Sequence, residues 1–147
     1  MQSINWTNTT MEDESFQETI DFIQTTYIDK VLAFFRGDSD KLPTEQDFMK
    51  VRTAVLKQCD ESDHNEGLYA YFEQVVNEFL VGHLLPFAQG KTGEALLDAF
   101  VKCWSDFTMF SKLIERAFDY LNAFFLENLE EPHIGERCLQ LFIDVFY

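Results

Sequence analysis

Positive charge is scarce in this 147-residue chain: 11 Lys+Arg stand against 26 Asp+Glu, a formal net charge of −15 at pH 7. Such a surface repels phosphate backbones and anionic headgroups, which argues against nucleic acid and membranes and points to protein partners. Glycine (6) and proline (3) are scarce, and no run alternates polar and apolar residues with period two, so strands have no support. Cys59, Cys103 and Cys138 are odd in number, far apart and without a CxxC pair. That pattern fits reduced core thiols in a cytoplasmic or nuclear protein. No apolar run reaches the ~18 residues that suggest a membrane span. The start, MQSINWTNTTMEDES, lacks a basic region followed by an apolar one, so it is not read as a signal peptide, and the sequons at Asn5 and Asn8 are expected to be idle.

What the chain has instead is apolar mass, 46% hydrophobic and 16% aromatic with 16 Phe. A chain of this length can bury well over half of its unfolded surface in one domain, here with a phenylalanine-rich interior. Residues 1–14 read as a polar leader and 15–147 as a single domain.

Within that domain Phe16, Ile20, Ile23, Tyr27, Val31 and Phe34 recur at steps of three and four. They predict an amphipathic helix with Ser15 as candidate N-cap and a stop near Gly37. PTEQDFMKVRTAVLKQC restarts a helix with Pro43 in its first turn, ending near Cys59. Leu68, Phe72, Val75, Phe79 and Leu84 mark a third, closed by Pro86 and Gly90. A fourth pattern begins at Thr92 or Gly93 and runs into WSDFTMFSKLIERAFDYLNAFFL, and a last helix follows EEPHIGE. The fold class is therefore all-α, an antiparallel bundle of five to six helices. The terminal run LFIDVFY has no C-cap signal and would expose apolar surface unless it packs back, as expected of an excerpt from a longer architecture.

Reaction chemistry finds little purchase. SDHNEGLYAYFE, from Ser62 to Glu73, has the sixth-position glycine and twelfth-position glutamate of a calcium loop, but Ser62 and His64 spoil its oxygen cage. His64, His83 and His133 are isolated, and no phosphate cradle or nucleophile elbow occurs. The chain is expected to be no enzyme and to hold neither cofactor nor metal.

The stretch from Trp104 to Leu126 divides into three faces. Trp104, Phe107, Ser111, Ile114, Phe118, Leu121 and Phe125 form one, and Phe110, Leu113, Ala117 and Phe124 a second. Thr108, Lys112, Glu115, Asp119 and Asn122 form a polar stripe flanked by Arg116, Tyr120 and Ala123. A helix apolar on two sides is sandwiched between neighbours and shows a strip outside.

These residues resemble the N-terminal helical repeat of the cullins, scaffold subunits of multi-subunit ubiquitin ligases. The pattern W-x-(D/N)-(Y/F/H), a basic residue, then Y-(L/M)-(N/D)-x-x-(F/Y/W) is matched by Trp104-Ser105-Asp106-Phe107, Lys112, and Tyr120-Leu121-Asn122 with Phe124-Phe125. EQDFMKVRTAVLKQC, LYAYFEQVVNEFLVGHLLPFA and IGERCLQLFIDVFY are similar to the second, third and sixth cullin helices, and the likeness covers roughly Ser15 to Tyr147. It implies an adaptor-binding face on the second and fifth helices, for a Skp-like or BTB/POZ-fold adaptor. Carried over by position, that face comprises Phe48, Val51, Arg52 and Leu56 with Arg116, Tyr120 and Ala123. Tyr120 is the expected anchor, because aromatics with a hydroxyl are frequent hot spots. Arg52 and Leu56 stand where cullins usually carry tyrosine, and Ile20 where many carry tryptophan.

Two functions remain open on this reading. One is a non-catalytic adaptor-binding module, which as a truncated cullin would act as a competitor. The other is a structural subunit of a larger assembly that keeps the fold without adaptor binding.

Overall fold

A computed structural model describes residues 15–61, 64–127, 129 and 131–146. Its described residues form six helices and no strand: α1 (15–36), α2 (Glu45–Glu61), α3 (65–88), α4 (Gly93–Phe118), α5 (120–126) and α6 (Ile134–Phe146). The all-α expectation and the helix count agree with this architecture.

α1 buries Ile23, Tyr27, Ile28 and Val31, with a π-turn over Gln24–Ile28 that brings the adjacent Tyr27 and Ile28 into the core together. It stops where the sequence says it should. Gly37 takes φ +82°, its N–H reaches Ala33 O and Phe34 O, and Asp38 N–H donates to Ala33 O at 2.9 Å. This left-handed glycine cap satisfies carbonyls that a helix end would otherwise leave bare. Ser15 is already helical, so its role as N-cap falls at the limit of the described residues.

α2 begins later than expected. Thr44 and Asp47 form a reciprocal cap, Asp47 N–H donating to Thr44 Oγ1 at 3.0 Å and Thr44 N–H to Asp47 Oδ2 at 3.1 Å. The helix therefore starts at Glu45 and Pro43 lies outside it, before the cap. Lys30 of α1 also donates to Asp47, at 2.8 Å. The Lys30 hydrogen bond first, and the Thr44 N–H next, hold the Asp47 carboxyl below its usual pKa of 3.8. A depressed carboxyl stabilises the fold while ionised, and that contribution is lost as pH falls below about 4 through the folded-state value. Asp47→Asn should lower the melting temperature at pH 7 and flatten its decline between pH 5 and pH 2; equal acid sensitivity of both proteins would refute this role.

α3 buries Leu68, Phe72, Val75, Val76, Phe79, Leu80 and Leu84. Pro86 does not close it. The proline follows a π-turn over Leu80–Leu84, where the regular ladder is already interrupted, and the helix runs on to Ala88 before Gly90 turns with φ +78°. The stretch considered as a calcium loop is helical from Asn65 onward, so its Gly67 and Glu73 cannot wrap a cation; Ser62 lies outside the described residues.

α4 is the central element. Ala99, Cys103, Phe107, Phe110, Ile114, Ala117 and Phe118 are buried along its 26 residues, and it contacts α1, α2, α3 and α6. The fourth pattern and most of the Trp104–Leu126 stretch are thus one rod, broken by a turn at Asp119 before α5. Phe110 lies parallel to Phe79 of α3 with ring centres 3.9 Å apart, and Phe35 of α1 meets both edge-on at 5.2 and 6.0 Å. Tyr27 donates its hydroxyl to Leu113 O at 2.9 Å, and burial pushes its pKa up to about 12. Trp104 departs from its assigned core face: it is 43% exposed and meets Phe142 edge-on at 5.1 Å.

α6 is fastened at both sides of its first turns. Arg137 donates through Nε and Nη2 to Glu73 Oε2 of α3, at 2.7 and 2.6 Å. Asn122 Oδ1 of α5 accepts the Ile134 N–H at 2.8 Å, capping the helix from across a loop. Asn122→Ala should cost about 1 kcal/mol, the usual worth of a cap, read from denaturant midpoints. An unchanged midpoint would show that cap to be inconsequential. The three cysteines are free and buried, and burial pushes the Cys59 thiol up to about 11 and Cys138 to about 12, so they stay protonated.

Candidate protein-interaction face

α2 and the C-terminal half of α4 lie side by side and present one mixed seam to the outside. Along α2 the residues at four-residue steps are Phe48, Arg52 and Leu56; along α4 and its continuation they are Lys112, Arg116 and Tyr120, then Ala123. The two arginines cross the seam in opposite directions. Arg52 of α2 lies over the Tyr120 ring, 4.6 Å from its centre, and Arg116 of α4 lies over the Phe48 ring at 3.8 Å. Each guanidinium also faces a carboxylate across the same seam, Arg52 with Asp119 at 3.5 Å and Arg116 with Glu45 at 3.6 Å. An open groove lined by Phe48, Arg52, Lys112, Glu115, Arg116 and Asp119 results, with a volume of about 570 Å³.

Four of the seven residues assigned to an adaptor-binding face are thereby brought into direct contact: Phe48 with Arg116, and Arg52 with Tyr120. Leu56 is half-buried and Ala123 exposed at the far end, where α2 packs against Asn122–Leu126. Val51 is fully buried, so it shapes the face from beneath and has no surface of its own to offer. Phe48 is mostly covered as well, and Arg116 rather than the ring meets solvent there. Lys112, Glu115 and Asp119 of the polar stripe line the groove, and Glu45 flanks it without having been singled out. The signal for Glu45 was present in the sequence, since it lies three residues before Phe48 on its own helix.

The groups of this face are guanidinium, carboxylate, ammonium and aromatic ring, with no nucleophile beside a base. Among the described residues, no group of His, Cys, Asp and Glu is placed to hold a metal ion. His83, which stacks on Phe79 at 5.0 Å, is kept neutral by burial, which lowers its pKa. No helix among the described residues is long and apolar enough to cross a membrane.

A second surface differs in kind. Phe100, Trp104, Leu139, Phe142 and Ile143 line an apolar groove of about 480 Å³ between α4 and α6, and Leu97 and Val101 extend α4's exposed apolar surface.

The described residues thus form an all-α bundle with a mixed charged and aromatic seam between two of its helices. The comparisons make this specific. Residues 14–147 match the family model described as "Cullin alpha solenoid domain". Rice (Oryza sativa subsp. japonica) Cullin-1 is 25% identical over 123 residues, covering 82% of this chain and 16% of the rice protein. Two Arabidopsis thaliana proteins are also similar. Putative cullin-like protein 2 is 23% identical over 82% of this chain and 33% of its own length, and Cullin-like protein 3 is 24% identical over 80% and 46%. No solved structure matches. The chain belongs to the cullin family and corresponds to its N-terminal helical repeat, spanning less than half the length of these relatives.

Proposed function

We propose that the α2–α4 seam is the docking face for an adaptor of a ubiquitin ligase, a Skp-like or BTB/POZ-fold protein, and that the chain acts as a non-catalytic scaffold module in the cytoplasm or nucleus. The observation that carries the reading is the crossed pair of arginine–aromatic contacts. It gathers Phe48, Arg52 and Arg116, chosen by position in the cullin pattern, onto one accessible groove, with Tyr120 held against it under Arg52. Arginine and tyrosine are enriched at interface hot spots, and a rigid two-helix platform presents them with little ordering cost.

The direct experiment is calorimetric titration of the purified chain with purified Skp-like and BTB/POZ-fold proteins. Micromolar or tighter one-to-one binding is expected for at least one of them. Absence of binding to every member of both classes would overturn the proposal.

A second reading, a structural subunit that reuses the fold without adaptor binding, draws on the apolar groove around Trp104. A face of that kind is suited to permanent packing against another helical element. In that case a stable assembly would form without either class of adaptor, and substitutions at Arg116 and Tyr120 would leave it intact.

A further inference from the structure

Two of the chain's four arginines, with Lys112 beside them, converge on one groove of a protein whose net charge is −15. Their placement differs from that of Arg137, which is tied to Glu73 at 2.6–2.7 Å and has little left to offer. Arg52 and Arg116 are instead held by ring faces, and their acidic neighbours stand back at 3.5 and 3.6 Å. Those pairs are solvent-exposed, Glu45 being 77% accessible, so they contribute little and are readily displaced. A guanidinium stacked on an aromatic ring is oriented but keeps N–H donors at its edge, the geometry that takes a carboxylate in bidentate fashion. Lys112 makes no ion pair among those described and lies four residues, one turn, before Arg116.

The spacing adds a constraint. Arg52 sits one turn after Phe48 on α2, and Tyr120 one turn after Arg116 along α4 and its continuation, so the two arginine–ring stacks are offset by one helical turn, a rise of about 6 Å for four residues. Carboxylates at i and i+4 of a helix have that same repeat.

We propose that this groove selects an acidic helix of the partner, with two carboxylates one turn apart seated on Arg52 and Arg116 in place of Asp119 and Glu45. The inference rests on the docking reading above and deepens it. Arg52 becomes a residue that sets specificity: it covers the Tyr120 ring and presents a charge to the partner there.

The test uses the intact, ¹⁵N-labelled chain and two alanine-based helical peptides that differ only in carrying Glu or Gln pairs at i, i+4. Titration at low salt, followed at the Arg52 and Arg116 side-chain Nε–H signals, should show the Glu peptide binding about tenfold more tightly than the Gln peptide. That preference should vanish in Arg52→Gln/Arg116→Gln and weaken with added salt. Equal binding of the two peptides, or a preference that survives the double variant while its backbone spectrum stays folded, overturns the inference. The two proposals fail separately. An adaptor that binds wild type and Arg52→Gln/Arg116→Gln equally well leaves docking intact and removes the carboxylate selection. A Glu-peptide preference without any adaptor binding removes the docking reading and keeps the selection.

Discussion

Replacing Phe110 by alanine is expected to cost about 3–5 kcal/mol, the range for truncating a buried aromatic. Phe110 is fully buried and lies 3.9 Å from Phe79 with the rings 7° from parallel, while Phe35 closes the cluster edge-on. Removing the ring strips α1 and α3 of the surface on which both pack against α4, and three helices cannot relax together into the void. With small domains stable by only about 5–15 kcal/mol, the variant should lose a large fraction of its stability and melt roughly 10–20 °C lower. Thermal unfolding followed by circular dichroism reads this directly. Trp104→Ala is the matched control, because its ring is 43% exposed and should cost far less. If the two variants melted alike, the assignment of Phe110 to the centre and Trp104 to the edge would be wrong.

The double variant Tyr120→Ala/Arg116→Glu should weaken adaptor binding by more than about 30-fold, since loss of one interface hot spot alone costs roughly 2 kcal/mol. Both substitutions remove ring or cation from the outer surface: Arg116 is half exposed and Tyr120 partly so. The seam would lose both crossed contacts, yet the buried residues beneath it, Val51, Val55, Ile114 and Phe118, remain. Folding should therefore survive with a small loss, and calorimetry on the folded variant separates binding from stability. Undiminished binding would show that a partner uses another face, with the α4–α6 groove the first to examine.

Helix positions were legible in the sequence because the apolar period survives in α1, α2, α3 and α6, where steps of three and four place buried residues in register. The boundaries misread were those set by contacts rather than by residue type. Pro43 suggested a first turn, but the Thr44–Asp47 reciprocal cap moved the start of α2, and the π-turn at Leu80–Leu84 carried α3 past Pro86. Trp104 follows the same spacing as Phe107, yet the period gives no sign that α6 covers the second and leaves the first at a groove edge. The candidate face was legible as a set of positions through the cullin pattern, of which the structure brings Phe48, Arg52, Arg116 and Tyr120 into contact. Its pairing was not, since nothing in the spacing tells that Arg52 reaches Tyr120 across the seam rather than solvent.

The half-open position of Trp104 also makes the chain its own spectroscopic sensor. An indole in contact with water emits further to the red than one sealed in an apolar site, and the only other tryptophan is Trp6. Whatever closes over Leu139 and Ile143 must close over Trp104 too, shifting the emission to the blue and slowing quenching by iodide. A ligand on the α2–α4 seam, built by different residues, should leave that colour unchanged. One fluorescence titration therefore tells which of the two surfaces a partner occupies.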